Sequence, residues 1–154
     1  MRTRQKGHAM LELAACAGVL VACLGGTFQF GYTFYVYNQM VTAVGNGGRY
    51  ASGRSYRAAS KQDIDKGIDA IRNMVVFGDP HPAPNAAPVV PDLKLDEVEV
   101  KWNFAGSNTG APASVDVAII GHQVNAIFGS FNFKGRPRVE FPYLGRYAPA
   151  ESER

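Results

Sequence analysis

Between Glu12 and Arg49 the chain carries no Asp, Glu, Lys or Arg. The most apolar part of this run, Leu13 to Tyr37, would extend about 37 Å as a helix. A hydrocarbon core is about 30 Å thick, so the segment is long enough to cross it with some tilt. A basic tail, MRTRQK, precedes the run, and one carboxylate, Glu12, stands at its near edge. Such a stretch limits the chain to a membrane helix plus whatever the rest can build. With 154 residues in total, that is one small domain.

The formal charge of +3 belongs to that tail. Arg2, Arg4 and Lys6 account for it, and the other thirteen Lys and Arg balance thirteen Asp and Glu. A neutral body has no electrostatic footprint for nucleic acid. Three cations beside the apolar run favour a cytoplasmic N-terminus, because positive residues are retained inside. Cys16 and Cys23 lie two helical turns apart within the run, about 10 Å along one face, which is too far for a bridge. They read as small apolar residues.

Inside the run, Ala14, Gly18, Ala22 and Gly26 recur every four residues. In lipid, helices associate through close packing across such small residues, so the stripe is a candidate packing face for a helix partner. Membrane helices are also rich in Gly and Ala generally. Aromatic residues from Phe28 to Tyr37 crowd the far end, as in an interfacial belt. Gly45, Gly47 and Gly48 each weaken a helix by about 1 kcal/mol relative to Ala, which predicts a bend or local loosening there. The GNGG run lacks the lysine and serine of a phosphate-binding loop.

Past that point the pattern changes. Ile64, Ile68, Ile71 and Val75 share one face of a helix, with Ser60 as its cap and Gly78-Asp79-Pro80 as its stop. Asp63, Asp65 and Asp69 are a solvated helix face, since the glycine and closing Glu of a calcium loop are missing. Residues 79–92 hold five prolines and read as an extended linker. Alternation with period two then marks strands at 97–104, 114–119 and 138–143, with 121–137 less regular. A three-stranded ribbon needs a cover, and the helix at 60–77 is the candidate.

The expected fold is therefore α+β: a long N-terminal membrane-spanning helix, an amphipathic helix and a small three-stranded antiparallel sheet. The expected divisions are a leader at 1–7, the membrane helix with its extension at 8–59, and the second helix at 60–78. The linker at 79–92 and a β-rich head at 93–154 complete the chain.

Chemistry is scarce. His8, His81 and His122 are scattered and none stands at metal-ligand spacing with Cys, Asp or Glu. No nucleophile motif occurs, so an enzyme, a cofactor or a metal site is not expected. Glu12 differs, because a carboxylate at a bilayer edge is costly unless paired. It is either a functional residue or an interfacial one favoured by the dipole of the first helical turn.

The order of basic leader, Gly7, His8, Glu12 and a long apolar helix resembles a type IV prepilin. More narrowly, GHAMLELA, the aromatic exit, YNQMVTAV and GGRYAS resemble the TadE-like pilus-assembly family, over residues 6–55. The resemblance implies a minor pilin of a tight-adherence pilus, cut between Gly7 and His8 by a prepilin peptidase. It also implies a single-pass inner-membrane location with the head outside the cytoplasm. Its partners would be the lipid bilayer, other pilins and the pilus assembly machinery. Glu12 would then neutralise the new α-amino group of a neighbouring subunit, with Ala14, Gly18, Ala22 and Gly26 allowing close helix packing. The chain departs from the family pattern at His8, where major pilins commonly carry Phe, and at GNGG, where an alanine-rich turn is usual. Three other readings remain: a pseudopilin of a secretion system, a lipoprotein lipidated at Cys23 after Leu20-Val21-Ala22, and an uncleaved single-pass binding protein.

Overall fold

A computed structural model describes residues 4–57, 61–106, 111–126 and 128–148. Helix α1 spans Arg4–Gly53 without interruption, a rod about 75 Å long. After a short turn, β1 (Tyr56–Arg57) leads towards α2 (Lys61–Phe77). Residues 78–94 form neither helix nor strand, and a 3-10 turn at Leu95–Glu97 opens β2 (Val98–Phe104). Then come β3 (Pro112–Ile119), β4 (Gln123–Ala126), β5 (Gly129–Asn132), β6 (Arg138–Pro142) and β7 (Tyr147–Ala148).

The main sheet is antiparallel in the order β2-β3-β6. Its register lines up Val100, Val117 and Val139 in one row, and Trp102, Val115 and Phe141 in the next. These apolar rows face the helices. On the opposite face Glu99, Lys101, Asp116 and Arg138 form a charged lattice, in which Arg138 binds both Glu99 and Asp116. The period of two is thus the record of one dry face and one wet face. Two small additions complete the sheet content. Strands β4 and β5 make a separate hairpin, and β1 pairs with β7 in parallel.

The sheet's cover differs from the expectation. Rather than α2 alone, the C-terminal part of α1 lies across it. Val36, Met40, Ala43, Val44 and Ala51 of α1 join Ile71, Val75 and Val76 of α2 and Val98, Val115, Val117 and Ile119 of the sheet in one core. The head therefore does not sit on top of a stalk; the stalk runs through it. Val90 and Leu93 of the proline-rich segment are also buried in this core, so that segment is pinned to the body near its end.

The expected loosening at the glycines is likewise absent. A Cβ on Gly48 would come within 2.6 Å of Phe141 Cδ2, and one on Gly47 would collide with Val75 Cγ2. Both glycines are surface notches in a continuous helix, into which β6 and α2 press. Packing against the rest of the head offsets their poor propensity. The helix ends at Gly53, not at 59, because Arg54 turns the chain and Tyr56 N–H then bonds Arg146 O at 3.0 Å. Its start runs back through Gly7 to Arg4, so the expected leader is continuous with it. The Ser60 cap lies outside the described residues.

Candidate functional site

The residues singled out from the sequence all fall on the first half of α1, and none of them touches the head. Gly7, His8, Glu12, Ala14, Gly18, Ala22 and Gly26 are exposed, as are both free cysteines. Exposed Met10, Leu11, Leu13, Val19, Leu20, Val21 and Leu24 surround them. A helix apolar on every side over such a length is long and apolar enough to cross a membrane. Its best 18-residue window has a mean hydropathy of 1.9 and is not buried by any other part of the chain.

Glu12 lies eight residues beyond the first described helical residue, Arg4. The dipole of a helix acts mainly within its first turn. Glu12 is two turns past that point in the intact chain, which removes the dipole explanation for its position. Among the described residues it forms no ion pair and no hydrogen bond. Its carboxylate stands on an apolar rod without a partner among the described residues.

The small-residue stripe has a definite direction. At about 100° per residue, Ala14, Gly18, Ala22 and Gly26 point to the same side of α1 as Val36, Met40 and Gly47. They continue, in line, the face that the head occupies further along. A Cβ placed on Gly18 or Gly26 would meet no atom within 4 Å. The stripe is thus uncovered at Gly18 and Gly26 among the described residues.

At the upper end of that track the surface becomes more crowded. Phe28, Phe30, Phe34 and Tyr35 remain exposed, whereas Tyr32 and Tyr37 turn towards the head. Tyr37 packs on Phe133 with ring centroids 4.8 Å apart. The expected aromatic belt is therefore divided: part faces outward and part joins the head to the helix. Gln29 is tied to the β4–β5 hairpin. Its Oε1 accepts from Phe128 N–H at 2.9 Å, and its Nε2 donates to Gly129 O at 3.4 Å. Sequence reasoning passed over both Gln29 and the hairpin. The signal was there in the one Asn or Gln between Leu13 and Tyr37.

Within the head, polar groups serve structure. His122 is buried, and its Nδ1 lies 2.9 Å from Glu97 Oε2, joining the turn after β3 to the 3-10 turn. Glu97 O also accepts from Ile120 N–H at 2.7 Å. Tyr143 Oη receives Tyr56 N–H at 2.7 Å; burial raises this phenol's pKa, and that hydrogen bond opposes the rise. The Glu99 carboxyl is held below its ordinary range by Lys101 first and Arg138 second, against some desolvation. An open cleft of about 440 Å³ beside the end of α1 is lined by Tyr50, Arg54, Asp63, Lys66, His81 and Trp102. Its charges are mixed in sign, so it does not select one class of ligand. Among the described residues, no group of three or more His, Cys, Asp or Glu is placed to hold a metal ion.

A family model described as TadE-like protein matches residues 7–49. The match covers α1 from the expected processing glycine to the first charge beyond the apolar run, and stops before α2 and the sheet. No curated protein and no solved structure matches the chain.

Proposed function

Because this chain is TadE-like over residues 7–49, we propose that it is a pilin-like structural component of a tight-adherence type IV pilus, acting by assembly rather than by catalysis. The observation that carries this reading is the division of α1. One half is the spine of a small head, and the other is bare, apolar and marked by an unpartnered carboxylate. An ordinary anchor has no need of that carboxylate, and lipid makes it costly.

In this reading the chain spans the inner membrane once, with its basic end in the cytoplasm and its head outside. Prepilin peptidase cuts between Gly7 and His8. The cut makes Glu12 the fifth residue of a shortened helix, so the carboxylate that lies two turns inside α1 is brought close to its new end. A free α-amino group appears at the same time. Two isolated charges near lipid are each expensive, whereas a close pair between neighbouring subunits offsets much of that cost. Glu12 of one subunit and the amino group of the next would thereby set the axial register of two helices. The Ala14, Gly18, Ala22 and Gly26 track lets the backbones approach closely enough for the pair to form.

The test is direct. In the native host, N-terminal sequencing of the membrane-bound chain is expected to begin at His8, and Gly7→Ala is expected to leave an unshifted band that begins at Met1. A wild-type chain that retains Met1 would refute processing, and one that begins at a modified Cys23 would establish the lipoprotein instead. For assembly, Glu12→Gln should insert into membranes as wild type does but fail to co-purify with other pilins. Normal entry of this variant into pili would remove the pairing role.

A further inference from the structure

Among the described residues, the β4–β5 hairpin is the part of the head that reaches back along the bare half of α1. The Phe128 ring lies directly on Gly25, where a Cβ would come 2.6 Å from its Cε2. Gln29 holds the neighbouring backbone through the Phe128 N–H and the Gly129 carbonyl. Even so, Phe128 is 69% exposed and Phe131 is 48% exposed. Beside them Phe28, Gln29, Tyr32, Asn125 and Ala126 enclose a shallow cleft of about 350 Å³.

The level of this hairpin on the helix decides what surrounds it. With Glu12 at one edge, a core of about 30 Å takes up about 20 helical residues, or Leu13 to Tyr32. Gly25 and Gln29 lie inside that stretch. Moving the core further along α1 places them deeper still. The composition agrees: from Val117 to Phe133 the chain has no Asp, Glu, Lys or Arg. Lys134 and Arg136 follow at once, both exposed and in no ion pair among the described residues. They follow Phe133, which packs on Tyr37, about 18 Å further along α1 than Gly25 at about 1.5 Å per residue, the height of lipid headgroups.

We propose that the β4–β5 hairpin is a foot set in the lipid interface. Phe128 and Phe131 enter the leaflet nearest the head, Lys134 and Arg136 meet the phosphates, and Gln29 pairs the Phe128 N–H and the Gly129 carbonyl where water is scarce. Backbone polar groups at that depth must be paired within the protein, and the two Gln29 hydrogen bonds do this at the tip. Aromatic rings with cations above them are the usual chemistry of a membrane-surface contact. The proposal rests on α1 crossing the bilayer.

Trp102 is the only tryptophan in the chain, and it lies in the head against Tyr56 and Tyr143. The full chain in phosphatidylcholine vesicles with brominated acyl chains therefore provides its own control, and wild-type emission should match that in unbrominated vesicles. W102F/F128W emission is expected to fall about two-fold in the brominated vesicles, as for a ring buried at the acyl boundary, and to resist acrylamide. Quenching by acrylamide without quenching by bromine would overturn the foot. Protection from both would also overturn it, by showing that protein, such as a second copy, covers Phe128. If W102F disturbs folding, F128W with Trp102 retained should still show a bromine-quenched fraction absent from wild type, and its absence would overturn the proposal. W102F/L20W separates the two levels of the inference: quenching there without quenching at 128 leaves the span intact and removes the foot, while no quenching at 20 removes both.

Discussion

The two halves of α1 are built from similar residues and meet opposite fates. Leu20 and Met40 are both good helix formers of similar bulk, neither branched at Cβ, yet Leu20 is 60% exposed and Met40 is fully buried. Up to Leu24 the large apolar residues of the first half are exposed among the described residues; those of the second half have α2 and a sheet. Apolar content alone therefore does not tell a span from a spine. What separates them is the geometry available on the far side of each residue, and the glycines show this most clearly. Gly18 and Gly26 look into open space, while Gly47 and Gly48 look into Val75 and Phe141.

The comparison can be broken most forcefully at the core. Met40→Ala should cost about 2–5 kcal/mol of head stability, measured by denaturant unfolding in detergent, whereas Leu20→Ala should leave that transition unchanged. Equal effects would mean that the two halves are not distinct. A finer contrast lies within the glycine run. Gly48→Ala should destabilise the head, because overpacking of about 1–3 kcal/mol exceeds a propensity gain of about 1 kcal/mol. Gly45→Ala, whose Cβ would meet nothing within 4 Å, should instead raise the thermal midpoint.

Smaller again is the contribution of the charged face. Glu99 has a lowered folded pKa, so its contribution is present above its ordinary value of 4.5 and is lost as pH falls through the lowered value. Glu99→Gln should therefore reduce stability at neutral pH by less than about 1 kcal/mol, as for partly exposed pairs. The difference from wild type should shrink on acidification. Smallest of all on this scale is Glu12→Gln, for which no shift of the head's unfolding is expected, since its carboxylate has no hydrogen bond or ion pair among the described residues. A measurable shift would place Glu12 in the fold rather than in assembly.

Much of the head could be read from the sequence because burial on one side leaves a period. The rows headed by Val100 and Trp102 alternate with Glu99, Lys101 and Asn103, and Ile64 to Val75 repeat at helical spacing. In α1 the same logic fails. From Leu13 to Tyr37 nearly every position is apolar, so no period marks the side that the head will take. The role of Gly48 was hidden for another reason, since it depends on Phe141, which is far away in the chain. The β4–β5 hairpin alternates Gln123 and Asn125 with Val124 and Ala126, but at only four residues a side the pattern is too short to stand out. For the candidate site, the isolation of Glu12 was plain from composition, but its lack of a partner among the described residues needed coordinates. So did the alignment of the small-residue track with the head-bearing face.

The unbroken run of α1 from Arg4 to Gly53 has a mechanical consequence. With the head bolted to its outer half, the helix would act in the proposed assembly as a push-rod between two solvents. Sliding one head past its neighbour by a helical rise of about 1.5 Å would carry Glu12 the same distance within the membrane. Alignment of heads and alignment of charges would then be a single degree of freedom, and a grip on either end would set the other.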